Sequence, residues 1–136
     1  RRETVDTSEV RCLVVDDHPG IRGAVRRIVR QCGLAVDEAA DGDEALGRLR
    51  QAPGYDVVLL DLHMPGTDGL RVLATLRRDP HFAPLKVIIM TVDARYLTMV
   101  DAAQTGGDRY VLKPVNAVTL RQHLEHLLGP LPGARS

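Results

Sequence analysis

Three carboxylates, a hydroxyl and an ammonium each follow a short apolar run in this 136-residue chain. Asp16 and Asp17 follow Cys12–Val15, Asp61 follows Val57–Leu60, Thr91 follows Val87–Met90, and Lys113 follows Tyr110–Leu112. Carboxylates gathered at one place repel one another unless a proton or cation joins them. A hard divalent cation that takes oxygen ligands and keeps several waters, Mg²⁺ or Mn²⁺, suits such a set. A metal there can bridge a carboxylate and an incoming phosphoryl group and neutralise charge on the phosphoryl oxygens. Aspartate is itself a nucleophile toward phosphoryl groups and is ionised at neutral pH, so no general base is needed. Lys113, one of only two lysines beside Lys86, would add a point charge, and Thr91 a hydroxyl donor. The chemistry this set supports is phosphoryl transfer to an aspartate.

These residues meet only if the runs before them are neighbouring strands. Cys12–Val15, Leu34–Val36, Val57–Leu60, Val87–Met90 and Tyr110–Leu112 are apolar on both faces, as expected of strands buried in a parallel sheet. Between them lie segments with helical spacing. Ile21, Ala24, Val25, Ile28 and Val29 mark one helix, with Arg22, Arg26, Arg27 and Arg30 on its other face. Pro19 suits its first turn and Gly33 its end. Asp41 with Glu44 reads as a capping pair ahead of Ala45, Leu46 and Leu49. Thr67 or Asp68 can cap a third helix carrying Leu70, Leu73 and Ala74. A fourth is expected from about Asp93 to Thr105. Asn116 can cap the last, with Leu120, Leu124, Leu127 and Leu128 inward and Gly129 closing it. Alternation of this kind implies right-handed crossovers and a doubly wound α/β fold, with its ligand crevice at the carboxyl ends of the strands.

Composition narrows the function classes. Lys plus Arg and Asp plus Glu both number 18, so there is no basic footprint for direct nucleic-acid binding. No apolar stretch spans a bilayer and no signal-peptide pattern opens the chain. Cys12 and Cys32 fit no metal or disulfide framework and read as free thiols of a reducing cytosol, which places the chain in the cytoplasm. Residues 1–9 read as a flexible lead-in, 10–129 as the domain, and 130–136 as a tail or linker. Because the chain begins with Arg1, it is expected to be a piece of something longer.

The runs LVVDDHPGIR, VVLLDLHMPGTDGL, VIIMT and GGDRYVLKP, in that order and on those strand ends, resemble the CheY-like family of two-component response-regulator receivers. The resemblance covers about Val10 to Gly129. It implies five βα units, (βα)5, in the flavodoxin-like strand order 2-1-3-4-5. It implies that Asp61 is the phospho-acceptor, supplied by a phosphohistidine of a sensor kinase or histidine phosphotransfer protein. Asp17 matches the direct metal ligand, Asp16 its neighbour acting through water, and His63 the position whose backbone carbonyl completes the site. Thr91 and Lys113 match the switch hydroxyl and the phosphate-binding lysine. Tyr110 matches the aromatic whose ring turns inward on activation, and Pro114 the proline of a cis peptide. Output would pass through the fourth helix, fifth strand and fifth helix, with a homodimer possible on activation. Such a chain is a signalling switch rather than a dedicated enzyme, catalysing only its own phosphorylation and dephosphorylation. Val92 and Val115 depart from the family pattern without removing a chemical group.

Each residue also has a plainer reading. Asp16 and Asp17 can cap the following helix, Thr91 can be ordinary strand, and Tyr110 can be core. A lone His63 imidazole is a poor transition-metal ligand. His123 and His126 are expected to face solvent, and the arginine stripe to be solvated. An aspartate-nucleophile phosphatase would need a second Asp where His63 stands. A flavin binder would not place Asp16 and Asp17 at its phosphate cradle. The alternative that keeps the whole sequence pattern is an unphosphorylated receiver-like dimerisation or docking module.

Overall fold

The structure, a computed structural model, describes residues 10–51, 54–64, 69–97 and 106–132. Its strands β1 (Arg11–Val15), β2 (Ala35–Ala39), β3 (Val57–Asp61), β4 (Lys86–Thr91) and β5 (Arg109–Leu112) form one sheet. All pairings are parallel and the order is β2-β1-β3-β4-β5. Helices α1 (Pro19–Gln31), α2 (Gly42–Leu49), α3 (Gly69–Arg78) and α4 (Ala117–Leu128) are described with it. Short 3₁₀ turns occupy Pro80–Phe82 and Ala94–Leu97. The doubly wound sheet is therefore the one expected. Of the fourth helix expected over 93–105, only the 3₁₀ turn lies among the described residues, and Thr67 and Asp68 fall outside them.

Strand alternation divides the core in two. Leu13, Val15, Val58, Leu60, Val87 and Ile89 pack with Ala45 and Leu49 of α2 and with Val72, Leu73 and Leu76 of α3. Cys12, Val14, Val57, Leu59, Ile88, Met90 and Val111 pack with Val25 and Val29 of α1 and with Leu120 and Leu124 of α4. Leu131, beyond α4, is buried in this second layer. Each fully buried valine or leucine contributes about 1.5–3 kcal/mol, against ~1 kcal/mol for a helix cap. Packing therefore sets each helix's phase, and caps only fix where it begins.

The caps follow local chemistry. Asp41 Oδ1 accepts the Glu44 amide at 2.8 Å while Glu44 reaches back to the Ala40 amide at 2.8 Å. Asn116 accepts from the amides of Val118 and Thr119. At α1 the cap is His18, whose Nδ1 accepts the Ile21 amide at 3.2 Å, with Pro19 in the first turn. That corrects the capping alternative for Asp16 and Asp17. Gly33, past the end of α1, has φ 92°, which favours glycine.

Three other expectations are corrected. The inward face of α3 is Gly69, Val72, Leu73 and Leu76, with Leu70 and Ala74 exposed. Gly69 fixes that phase: a methyl group there would overlap the Asp61 carbonyl oxygen and crowd the Leu62 backbone. The arginine stripe is not uniformly solvated, because Glu38 of edge strand β2 pairs with Arg22 at 2.8 Å and Arg26 at 3.2 Å. Arg27 and Arg30 do face solvent. His123 is half-buried, accepting the Arg109 Nε–H at 2.9 Å, whereas His126 is exposed.

Candidate functional site

β1, β3, β4 and β5 all end at the same edge of the sheet, and the expected residues lie there. The Asp16 amide donates to the Ala39 carbonyl at 3.1 Å, carrying the ladder one residue past β1. Asp61 closes β3, and the Lys113 amide donates to the Thr91 carbonyl at 2.7 Å beyond β5. A cis peptide joins Lys113 to Pro114. One carboxylate oxygen from each of Asp16, Asp17 and Asp61 lies within 4.8 Å of the others. Among the described residues this is the one group of acidic, histidine or cysteine side chains close enough to hold a metal ion.

The Lys113 Nζ stands 2.8 Å from Asp16 Oδ2 and 3.2 Å from Asp61 Oδ1. Asp16 Oδ1 accepts the His18 amide at 2.9 Å, and Asp61 Oδ1 the His63 amide at 3.2 Å. Asp16 and Asp61 are buried, whereas Asp17 is exposed. Burial lifts the Asp61 carboxyl above the ordinary carboxylate range; the Lys113 charge opposes that and the Asp16 charge adds to it. For Lys113, burial disfavours the ammonium, but the Asp16 hydrogen bond and the charges of Asp61 and Asp16 outweigh it and raise its pKa.

Three carboxylates against one ammonium leave two excess negative charges, which a divalent cation would cancel. Asp16 Oδ2 is buried, with the Lys113 ammonium 2.8 Å away. A buried carboxylate oxygen beside an exposed carboxylate fits a hard cation.

Thr91 is buried, and its Oγ1 accepts the Asp93 amide at 3.0 Å. By strand alternation it is in phase with Ile89 and Tyr110, on the α2–α3 side. Asp16, Asp61 and Lys113 continue the phase of Val14, Leu59 and Val111 on the α1–α4 side. Thr91 therefore stands where the acidic site borders the Tyr110 side. The half-buried Tyr110 packs on that core, its hydroxyl accepting the Gly107 amide at 2.8 Å.

Some neighbours were not found from the sequence. Arg22 Nη1 donates to the Asp16 carbonyl at 2.9 Å, fixing the acidic turn from α1. Asp93 is gripped by Arg95 at 2.6 Å, and those hydrogen bonds hold its carboxyl at about 2. The Asp-x-Arg spacing after Thr91 was the available signal. Beside Lys113 an apolar groove of about 340 Å³ runs between Ile21, Ala24 and Ile28 of α1 and Val92, Pro114 and Val115.

Residues 12–125 match the family profile described as the response regulator receiver domain. The chemotaxis protein CheY-3 of Vibrio cholerae is 32% identical over 126 residues, covering 92% of this chain and 96% of that protein. The transcriptional regulatory protein ResD of Bacillus subtilis is 38% identical over 108 residues, 79% of this chain and 43% of ResD. Among solved structures, the response regulator TrrA of Thermotoga maritima in complex with Mg²⁺–BeF superposes with a TM-score of 0.76. It is 34% identical, over 88% of this chain and 99% of that one.

Proposed function

Because this chain belongs to the response regulator receiver domain family, we propose that it is a phospho-acceptor switch in which Asp61 is the phosphorylated residue. The donor is a phosphohistidine of a sensor kinase or histidine phosphotransfer protein. The observation that carries this reading is the buried pair of Asp61 and Asp16 spanned by Lys113, with exposed Asp17 at the mouth.

Lys113 and the His63 amide both hold Asp61 Oδ1, which leaves Oδ2 as the attacking oxygen. The new bond joins that oxygen to phosphorus as the phosphorus–nitrogen bond breaks and the donor imidazole leaves. Mg²⁺, or Mn²⁺, would be held by Asp17 and Asp61 directly, by Asp16 through water, and by the His63 carbonyl. It would supply positive charge to the phosphoryl oxygens. Lys113 supplies a second positive charge, and the Thr91 hydroxyl donates to the product phosphoryl group. The exposure of Asp17 and the tight hold on Asp16 support that division of metal roles.

The apolar groove beside Lys113 offers the donor protein a seat next to the acceptor. Output would leave through the β5–α4 face, where Leu112 and Val118 are exposed, and through the segment before β5. The chain has no further catalytic duty in this reading, and its site of action is the cytoplasm. Among the described residues no helix is long and apolar enough to cross a membrane.

Intact-mass spectrometry after incubation with acetyl phosphate and Mg²⁺ tests the proposal. One phosphoryl adduct is expected, lost in Asp61→Asn and without metal. No adduct, together with failure to bind beryllofluoride, would favour the docking-module alternative.

A further inference from the structure

Beyond the acidic site, a network at the start of β4 and β5 connects α3 to the Tyr110 ring. Arg77, near the end of α3, donates through Nε to the Gly106 carbonyl at 2.8 Å. Its Nη2 meets Asp108 Oδ2 at 2.9 Å, and its Nη1 reaches toward the Leu85 carbonyl at 3.5 Å. Asp108 Oδ2 also accepts the Val87 amide at 2.7 Å, so the same carboxylate is fixed to the start of β4. Between these anchors Gly106 takes φ +90°, and Gly107 presents its amide to the Tyr110 hydroxyl. A methyl group on Gly107 would lie 2.6 Å from Ile89 Cγ1 and 3.0 Å from the Tyr110 ring. The ring, Gly107 and Ile89 therefore share one close-packed seat that position 107 cannot crowd.

We propose that Arg77 and Asp108 are positioning residues for the switch: they clamp the 106–108 loop so that the Gly107 amide latches Tyr110 in its half-buried seat. The proposal rests on the reading of Asp61 as phospho-acceptor and Tyr110 as the moving aromatic. To turn inward, the ring must first give up the Gly107 amide. Arg77 holds its partners at the far end of the sheet from Asp61, so it can alter the ring's equilibrium without touching the phosphorylation chemistry. The pair is partly exposed, with side-chain accessibilities of 30% and 32%, so its effect comes from where it holds the loop rather than from raw ion-pair strength.

The test uses the full chain labelled with 3-fluorotyrosine, the Tyr110 fluorine resonance being assigned from Tyr110→Phe. Arg77→Met keeps the aliphatic stem and removes the donors; Asp108→Asn keeps an acceptor for the Val87 amide. In both variants the Tyr110 resonance should move toward its beryllofluoride–Mg²⁺ position before any beryllofluoride is added. Losing one hydrogen bond's hold on the ring should tighten beryllofluoride binding about threefold to tenfold. In a Tyr110→Phe background, which lacks the latched hydroxyl, Arg77→Met should leave that affinity unchanged. A wild-type resonance that responds to beryllofluoride while both variants match it throughout would overturn the clamp and leave the proposed function standing. A wild-type protein that neither binds beryllofluoride nor takes a phosphoryl group at Asp61 would instead remove the reading on which the clamp rests.

Discussion

Single side chains at this site are set by opposing electrostatic demands. Asp61 is buried beside another buried carboxylate, and Lys113 is what makes that tolerable. His123 is governed the same way at the β5–α4 contact. Burial first, then the nearby Arg109 and His126, hold its pKa below the ordinary 6.5. On acidification the unfolded chain thus takes up a proton before the folded one does. His123 contributes stability that is complete above 6.5 and lost as pH falls through the folded value. Urea unfolding on either side of that pH should show a steeper acid loss in wild type than in His123→Gln. Equal slopes would place the sensitivity elsewhere. Asp61, Thr91 and Lys113 were legible because a charged or hydroxyl residue ending an apolar run has few other uses. The His123 contact was not, since an acceptor–arginine pairing across fourteen residues leaves no local pattern.

For helices and strands, the informative case is α3. Apolar spacing suggested Leu70, Leu73 and Ala74 as its inward face, whereas Gly69, by bringing the helix start onto the end of β3, turns Val72, Leu73 and Leu76 inward. Gly69→Ala forces a methyl group against the Asp61 carbonyl backbone, which cannot move as a flexible side chain would. The expected cost is about 1–3 kcal/mol, read as a lowered urea midpoint, with slower phosphoryl uptake because the Asp61–Leu62 turn shifts. A midpoint within a few tenths of a kcal/mol of wild type would show that the close approach is slack. The caps, by contrast, were read correctly at Asp41 and Asn116, because capping depends on two or three consecutive residues. At α1 the plainer capping reading of Asp16 and Asp17 gave way: a histidine before proline accepts the helix amide, and both aspartates lie in the acidic cluster.

At the level of the whole molecule, folding creates a net negative crevice that the unfolded chain lacks, so cation binding and stability are linked. Mg²⁺ roughly tenfold above its dissociation constant should add about 1.4 kcal/mol, raising Tm by roughly 4 °C for a domain of this size. Asp17→Asn should abolish the shift at little cost to the metal-free fold, because Asp17 is exposed. An undiminished shift in that variant would mean that Mg²⁺ binds somewhere other than the acidic cluster.

The sequence alone determined the parallel sheet and the edge at which Asp16, Asp17, Asp61 and Lys113 gather. Apolar runs of strand length alternating with helical spacing admit few arrangements, and polar residues at strand ends mark the crevice. The strand order came from family likeness rather than from periodicity, and the structure bears it out. Only the tertiary structure decided which oxygens Lys113 spans, which face α3 turns inward, and how Arg77, Asp108 and Gly107 converge on Tyr110. Those facts depend on contacts between residues far apart in the chain, where a few tenths of an ångström select one partner over another and no periodic signal survives.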